Sequence, residues 1–158
     1  MPRIPINIVT GALKETTAIF GIDLGTTHSL IAWCRDNQPA VIADVDRSPI
    51  VPSVVYFPPN DAPVVGEDAL PFLTSDPKRT LFSVKRLMGM SLNDLQDEID
   101  TLPFDLDKES GDSLLRILID EMKLTPIDVS AYILLELKNR TEHALKMLRN
   151  VYKATSPS

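Results

Sequence analysis

The feature that most constrains this chain is a pair of apolar stretches separated by a short polar turn, within residues 19–32. The turn contains Gly25, Thr26 and Thr27, and the apolar and β-branched residues on either side favour strands. This pattern predicts an antiparallel hairpin. One charged residue, Asp23, stands just before the turn, where a buried strand would not normally carry an unpaired carboxylate.

A turn of this composition can bind an anion without a basic side chain. A tight turn containing Gly25 can direct several backbone N–H groups to one point, and the hydroxyls of Thr26 and Thr27 add donors. Asp23 would repel a phosphate unless a cation lay between them. We therefore interpret the hairpin as one that wraps a polyphosphate, with Asp23 facing its Mg²⁺, usually through water. The alternative is a plain hairpin in which Gly25 supplies a positive φ and the threonines serve strand propensity.

The string Gly-Ile-Asp-Leu-Gly-Thr-Thr-x-Ser at residues 21–29 resembles the first phosphate loop of the heat-shock protein 70 chaperones, members of the actin and sugar-kinase ATPase superfamily. Three further segments follow in the family's order. Residues 51–57 resemble its Thr-Pro-Ser-x-Val-x-Phe strand, residues 65–69 its Gly-x-x-Ala segment, and residues 83–89 its Lys-Arg-Leu-Met-Gly helix. The chain contains neither a Walker A loop nor a Rossmann Gly-x-Gly-x-x-Gly.

The resemblance implies an α/β fold, a ribonuclease H-like or actin-like ATPase half-domain forming part of lobe I. Antiparallel hairpins would come first, with flanking helices and a long C-terminal helix. It implies ATP or ADP with Mg²⁺ as cofactors, Asp23 facing the metal, and Gly25, Thr26, Thr27 and His28 at the phosphates. Asp23 could instead be a turn-capping residue. His28, where the family usually has Tyr or Asn, either lines the pocket or is a variant at the loop edge.

Lys85 resembles the family lysine that reaches the γ-phosphate and the attacking water, where it would neutralise charge developing in the transition state. The alternative is a solvated helix lysine. For Arg86, an interlobe salt bridge and simple surface exposure explain the residue equally well. His143 is alone on a helix, and no His/Cys cluster offers a transition-metal site.

Composition limits the class of protein. The chain of 158 residues is 44% apolar and 24% charged, as in ordinary globular domains. The net charge of −6 argues against a nucleic-acid partner, and no apolar run approaches the ~18 residues of a membrane span. A single cysteine, Cys34, forms no intramolecular disulfide, which fits a reducing, cytoplasmic location.

We expect three regions along the chain. Residues 1–17 are predicted to form a flexible arm, residues 18–150 a partial actin-like ATPase domain, and residues 151–158 a frayed tail. Within the domain, the pattern predicts strands at 18–24, 29–35, 40–45 and 53–57, helical stretches at 67–73 and 77–87, a hairpin over 104–119 and a final helix. That helix begins at Thr125 as cap, with Pro126 in its first position and Asp128 completing a capping box.

Two family features are missing from the sequence. The second phosphate loop, Asp-x-Gly-Gly-Gly-Thr, is absent, since the six glycines never occur two in a row. The Val-Ile-Thr-Val-Pro-Ala strand expected after the last helix is also absent. The chain therefore resembles the first third to half of an ATPase domain, and we expect little or no ATP turnover from these residues alone.

Two functions compete. The first is the ATP-binding part of a chaperone of the stress response that, when complete, couples ATP hydrolysis to binding of unfolded protein clients and works with co-chaperones. Residues 83–94 and 102–104 resemble the branch serving iron–sulfur cluster assembly. The second is a noncatalytic scaffold that binds a protein partner or self-associates through the exposed half-lobe. A sugar or acid kinase fits less well, because residues 51–57 and 83–89 resemble chaperone segments.

Overall fold

The computed structural model describes residues 5–10, 12–17, 19–35, 38–43, 47–95, 98–110 and 114–155. The chain divides into two compact units. The first unit comprises residues 1–23, 30–50 and 137–158, and the second comprises residues 24–29 and 51–136.

The regular elements are mostly short strands, with one long helix at the end. The strands are β1 (Pro5–Thr10), β2 (Ala12–Thr17), β3 (Ile19–Asp23), β4 (His28–Arg35), β5 (Gln38–Val41), β6 (Val51–Pro52), β7 (Val54–Tyr56), β8 (Val64–Val65), β9 (Thr80–Phe82), β10 (Asp105–Leu106), β11 (Ile117–Ile119) and β12 (Met122–Leu124). The α-helices are α1 (Phe72–Ser75) and α2 (Pro126–Thr155). Short 3-10 turns lie at Gly66–Ala69, Pro77–Arg79, Val84–Leu87, Asn93–Leu95, Ile99–Thr101 and Lys108–Ser110. This mixture agrees with the predicted α/β class.

In the first unit, β3, β4 and β5 lie side by side in that order, all antiparallel. The hairpin pairs Ile19 with Cys34 at one end and Asp23 with Leu30 at the other. The predicted hairpin and third strand are therefore confirmed, although the third strand occupies Gln38–Val41 instead of 40–45. Residues 44–46 lie outside the described residues.

Strand β3 is not the buried strand that we expected. Four of its five residues are exposed, and the side chain of Ile19 is 63% exposed. Within the described part of the chain, β4 is the only strand that pairs with β3. The carboxylate of Asp23 is therefore accessible to water and needs no buried partner. The motif around Asp23, and not its burial, supports a functional role.

Residues 5–10 and 12–17 form paired strands where we expected a flexible arm. Strand β1 pairs antiparallel with β2, from Pro5 opposite Thr17 to Thr10 opposite Ala12. The β-branched residues in both strands favour this extended backbone over an irregular arm.

The second unit contains the main hydrophobic core. Two antiparallel sheets, in the orders β8-β7-β9 and β10-β11-β12, supply strand residues to this core, and α2 supplies Val129 and Ile133. The other buried members are Val55, Phe57, Leu81, Val84, Leu87, Leu95, Phe104, Leu106, Leu115, Ile117 and Ile119. Strand β7 is buried on both faces, because Val54 and Tyr56 pack with Ala69 in a second, smaller cluster.

The predicted helical stretch over residues 77–87 is wrong in its middle, where β9 lies. Strand β9 pairs with β7 from Phe82 opposite Val54 to Thr80 opposite Tyr56. Thr80 and Leu81 are completely buried there. Burial in a sheet outweighs local helix propensity at these positions. After the turn Val84–Leu87, the left-handed φ of 77° at Gly89 ends the helical conformation.

Two other predictions hold with different boundaries. The helix expected at 67–73 is divided into the 3-10 turn Gly66–Ala69 and α1. The hairpin expected over 104–119 is present as β10 and β11, and β12, which we did not predict, adds a third strand. Residues 111–113 of the expected connection lie outside the described residues.

The start of α2 confirms the predicted capping box. The Thr125 hydroxyl accepts a hydrogen bond from the Asp128 N–H at 3.2 Å. In return, the Asp128 carboxylate accepts from the Thr125 hydroxyl at 2.7 Å and from the Thr125 N–H at 2.8 Å. These two bonds, first that from the hydroxyl, lower the pKa of Asp128.

Helix α2 buries a stripe of residues at helical spacing. The buried members are Val129, Ile133, Leu137, Thr141 and Ala144. The helix continues to Thr155, through part of the region where we expected a frayed tail, and residues 156–158 lie outside the described residues. Among the helices that the structure describes, none is both long and apolar enough to cross a membrane.

Candidate functional site

The turn between β3 and β4 is so tight that only glycine fits at residue 25. A Cβ atom on Gly25 would collide with the carbonyl oxygen of His28 and lie 3.2 Å from its carbonyl carbon. The φ of Gly25 is not in the left-handed region, so the alternative explanation by a positive φ is wrong. Glycine is needed here because two stretches of backbone approach each other closely.

Two buried serines bind the backbone of this turn. The Gly25 N–H donates to Ser29 Oγ at 3.1 Å, and Ser53 Oγ donates to the Gly25 carbonyl at 2.9 Å. The two hydroxyl oxygens lie 2.9 Å apart. The Ser53 N–H also donates to the Thr27 carbonyl at 2.8 Å. The N–H of Gly25 is therefore engaged inside the protein, and the next two residues carry the donors that a ligand could use.

Thr26 and Thr27 carry those open donors. Within the residues that the structure describes, neither their N–H groups nor their hydroxyls have a hydrogen-bond partner. Thr27 is exposed and Thr26 is half-buried. Adjacent N–H and hydroxyl donors on a tight turn suit a phosphate group.

His28, the other residue predicted at the phosphates, begins β4 opposite Pro52 with an exposed side chain, so both of its interpretations stay open.

Lys85 lies beside the turn, although 61 positions separate it from Leu24 in the sequence. Its ammonium Nζ donates to the Leu24 carbonyl at 2.6 Å. Lys85 is exposed, whereas Val84 and Leu87 of the same 3-10 turn are buried and anchor that turn in the core. A positive charge is thereby held at the Leu24 carbonyl, two residues before Thr26, which favours an anion near the turn.

Two neighbours of Lys85 have distinct features: Ser83 has an unusual backbone conformation, and Arg86 forms an ion pair at the surface. Ser83, which precedes the turn, has a left-handed φ of 54°, a conformation that costs a serine about 1 kcal/mol or more. Arg86 pairs with Glu98 at 3.0 Å, and both side chains are more than half exposed. Such a pair contributes little to stability, and it supports the surface interpretation of Arg86.

Asp23, the residue predicted to face Mg²⁺, ends β3 and precedes the turn by one residue. It is exposed, and it belongs to the first unit, whereas the turn and Lys85 belong to the second. Among the described residues, no group of three or more His, Cys, Asp or Glu could hold a metal ion. A single carboxylate still fits Mg²⁺, which keeps several waters and takes its remaining ligands from phosphates.

Sequence reasoning missed Ser29 and Ser53 as parts of this site. Both belong to the motifs quoted above, but their contact depends on the pairing of the start of β4 with β6, which places Ser29 opposite Val51. A hydroxyl inside an apolar strand needs a partner, so the serine between Pro52 and Val54 was the signal that could have identified this contact.

Comparison with known proteins identifies the family to which the chain is similar. Residues 19–155 match the family model described as Hsp70 protein. The chain is 38% identical over 138 residues to the chaperone protein HscA homolog of Acinetobacter baumannii (strain SDF), covering 87% of the chain and 22% of the relative. It is 43% identical over 125 residues to the HscA homolog of Aliivibrio salmonicida (strain LFI1238), covering 79% and 20%. The homolog of Polynucleobacter necessarius subsp. necessarius (strain STIR1) is 40% identical over the same length, with the same coverage. The chain thus spans about a fifth of the length of the curated relatives it matches.

Proposed function

Because the chain belongs to the Hsp70 family, we propose that it is part of the nucleotide-binding region of a chaperone and that the turn after β3 receives the phosphates of ATP or ADP. The geometry of that turn carries the proposal. Gly25 admits no side chain, and the Lys85 ammonium lies against the Leu24 carbonyl. Thr26 and Thr27 have donors without a partner in the part of the chain that the structure describes. These features together provide shape, hydrogen-bond donors and positive charge for a phosphate group.

Each residue has a distinct role in this proposal. Thr26 and Thr27 donate hydrogen bonds to phosphate oxygens, and Gly25 allows the turn to close. Lys85 offsets phosphate charge by exchanging its bond to the Leu24 carbonyl for one to a phosphate oxygen. Asp23 binds Mg²⁺ through water, and the metal, when bound, supplies charge neutralisation at the phosphates. His28 remains a proposed neighbour of the phosphates.

The activity of the longer protein is a further part of the proposal. By analogy with the family, ATP hydrolysis would control the binding of unfolded protein clients, with co-chaperones as partners, in the cytoplasm. The resemblance of residues 83–94 and 102–104 favours the branch that serves iron–sulfur cluster assembly. We expect little or no turnover from these 158 residues alone, because hydrolysis requires a second phosphate loop that their sequence does not contain.

Calorimetric titration with Mg·ATP and Mg·ADP tests the proposal, after circular dichroism has established that the chain is folded. We expect binding by the wild-type chain and its loss in Asp23→Ala. Asp100→Ala is the matched control, since Asp100 is also an exposed aspartate but lies outside the motif. Absence of binding by the folded wild-type chain, or equal binding by both variants, would contradict the assigned role of the turn and Asp23.

A second candidate function, a scaffold that self-associates or binds a protein partner, is favoured by one observation. Helix α2 exposes apolar side chains at helical spacing: Ile127 is 57% exposed, Leu134 36% and Leu135 50%. Sedimentation velocity of the wild-type chain and of Leu135→Lys distinguishes the two candidates. An oligomer that dissociates in the variant, in a chain that binds no nucleotide, would favour the scaffold.

A further inference from the structure

We propose that the hydroxyl groups of Ser29 and Ser53 are positioning groups for the phosphate-binding turn. They fix the peptide groups of Gly25 so that the N–H groups of Thr26 and Thr27 stay available to the ligand. This inference rests on the proposed nucleotide function of the turn. Neither serine is proposed to touch the nucleotide, and both act through the backbone of the turn.

Each hydrogen bond among Gly25, Ser29 and Ser53 can be given a direction, because each serine hydroxyl has only one proton to donate. A carbonyl oxygen only accepts, so the Ser53 hydroxyl proton is used on the Gly25 carbonyl at 2.9 Å. In its 2.9 Å contact with Ser29, Ser53 must therefore accept, and Ser29 must donate. Ser29 in turn accepts the Gly25 N–H at 3.1 Å. Each hydroxyl thus donates one bond and accepts one bond.

The result is a closed ring that begins at the N–H of Gly25 and ends at the carbonyl of the same residue. Chains of hydrogen bonds in which each hydroxyl both donates and accepts strengthen one another. Ser29 and Ser53 are only 1% and 2% exposed, so water cannot readily replace either partner. Loss of either hydroxyl would open the ring at a buried position.

The ring holds one side of the turn, and Ser53 also holds the other side. Its backbone N–H donates to the Thr27 carbonyl at 2.8 Å. The turn is therefore bound to one residue of the neighbouring segment at Gly25 and at Thr27. Thr26 between these points keeps its own donors unbonded among the described residues. A turn held in this way loses little conformational entropy when a ligand binds.

Serine-to-alanine variants of the full 158-residue chain test this role, with Mg·ADP as the probe. We expect Ser29→Ala and Ser53→Ala each to weaken Mg·ADP binding about tenfold. The double variant should be weakened by about the same factor as either single variant, because one missing hydroxyl already opens the ring. Ser130→Ala is the matched control: this buried serine donates to the Pro126 carbonyl at 2.8 Å within α2, and its loss should leave the affinity unchanged.

Amide hydrogen exchange at Gly25, followed by NMR without nucleotide, provides a readout that does not depend on binding. We expect slow exchange in the wild type and in Ser130→Ala, and at least roughly tenfold faster exchange in the Ser29 and Ser53 variants. Wild-type affinity in both variants would overturn the positioning role, even if Gly25 exchange accelerates. If an alanine variant does not fold, rapid exchange of the wild-type Gly25 amide would overturn the proposal, and slow exchange would support it.

The two proposals fail in distinguishable ways. A folded wild-type chain that protects the Gly25 amide but binds no Mg·ADP would overturn the proposed function, and with it the positioning role, while leaving the ring itself intact. A chain that binds Mg·ADP and does not protect the Gly25 amide would overturn only the positioning role.

Discussion

The start of α2 and the turn after β3 are both held by side-chain hydroxyls that bond to backbone, but over very different sequence distances. At the start of α2, the bonds between Thr125 and Asp128 join residues three positions apart. At the turn, Ser53 bonds to Gly25 over 28 positions and Lys85 to Leu24 over 61. The helix start is therefore determined locally, whereas the turn acquires its partners only when the second unit has folded.

This difference has a functional consequence. The capping box contributes to stability because the side chains of Thr125 and Asp128 satisfy each other's backbone N–H groups. In the turn, the N–H and the carbonyl of Gly25 are both bonded, while the donors of Thr26 and Thr27 have no partner among the described residues. Binding sites of this kind need distant residues to hold the backbone, because a turn that satisfied all its own groups would have none for a ligand.

Gly25→Ala is the variant that should damage the turn most. Its Cβ would collide with the His28 carbonyl, so the backbone of the turn would have to move away from the conformation that binds phosphate. If restoring that conformation costs up to about 3 kcal/mol, Mg·ADP binding weakens roughly 100-fold. Gly21→Ala in the same hairpin is the control, because nothing lies within 4 Å of the added Cβ. Calorimetry that finds equal affinities for the two variants would show that the tight approach at Gly25 is unimportant for binding.

Removal of the ammonium at position 85 should have the next largest effect. Lys85→Ala removes a positive charge at the turn, and we expect about tenfold weaker Mg·ATP binding. Arg86→Ala removes the same charge from the neighbouring residue, which pairs with Glu98 at the surface, and should leave the affinity unchanged. Similar losses in the two variants would mean that Lys85 acts only through general charge.

Thr125→Ala tests the start of α2, which is held by residues close together in the sequence. Loss of the capping hydroxyl should lower the free energy of unfolding by about 1 kcal/mol, measured by urea denaturation. Mg·ADP affinity should not change in the variant, since the Thr125 hydroxyl bonds only to Asp128 in the described contacts. A loss of affinity together with stability would contradict the separation between the helix start and the turn.

The smallest effect that we expect is the loss of the stabilising contribution of Asp128 at acid pH. The folded-state pKa of Asp128 is lowered, so its contribution to stability is present above the unfolded value of about 3.9 and is lost as pH falls through the lower folded value. Urea denaturation from pH 7 to pH 3 should therefore show a stability difference between wild type and Asp128→Asn that stays constant at neutral pH and shrinks below about pH 4. A difference that persists unchanged to pH 3 would contradict the ionised capping box.

The sequence predicted features that depend on contiguous residues. The match of residues 19–155 to the Hsp70 family confirms the recognised family and agrees with the predicted actin-like ATPase half-domain. The predicted capping box was also correct, because it depends on a few neighbouring residues.

Errors arose where distant pairing decides the structure. The strand Thr80–Phe82 replaced a predicted helix because β7 pairs with it, and β3 is exposed because only β4 pairs with it in the described residues. The contacts of Ser29 and Ser53 depend in the same way on the pairing of β4 with β6. Local propensity carries no information about these partners.

The most direct test of the central claim is an NMR titration of the ¹⁵N-labelled chain with Mg·ADP, observed at the amides of Gly25, Thr26 and Thr27. We expect saturable shifts at Thr26 and Thr27, because their N–H groups gain a phosphate acceptor, and a Gly25 amide that stays protected throughout. Unchanged amides at all three positions in a folded chain, with Mg·ADP in large excess over the chain, would contradict the claim that the turn binds phosphate.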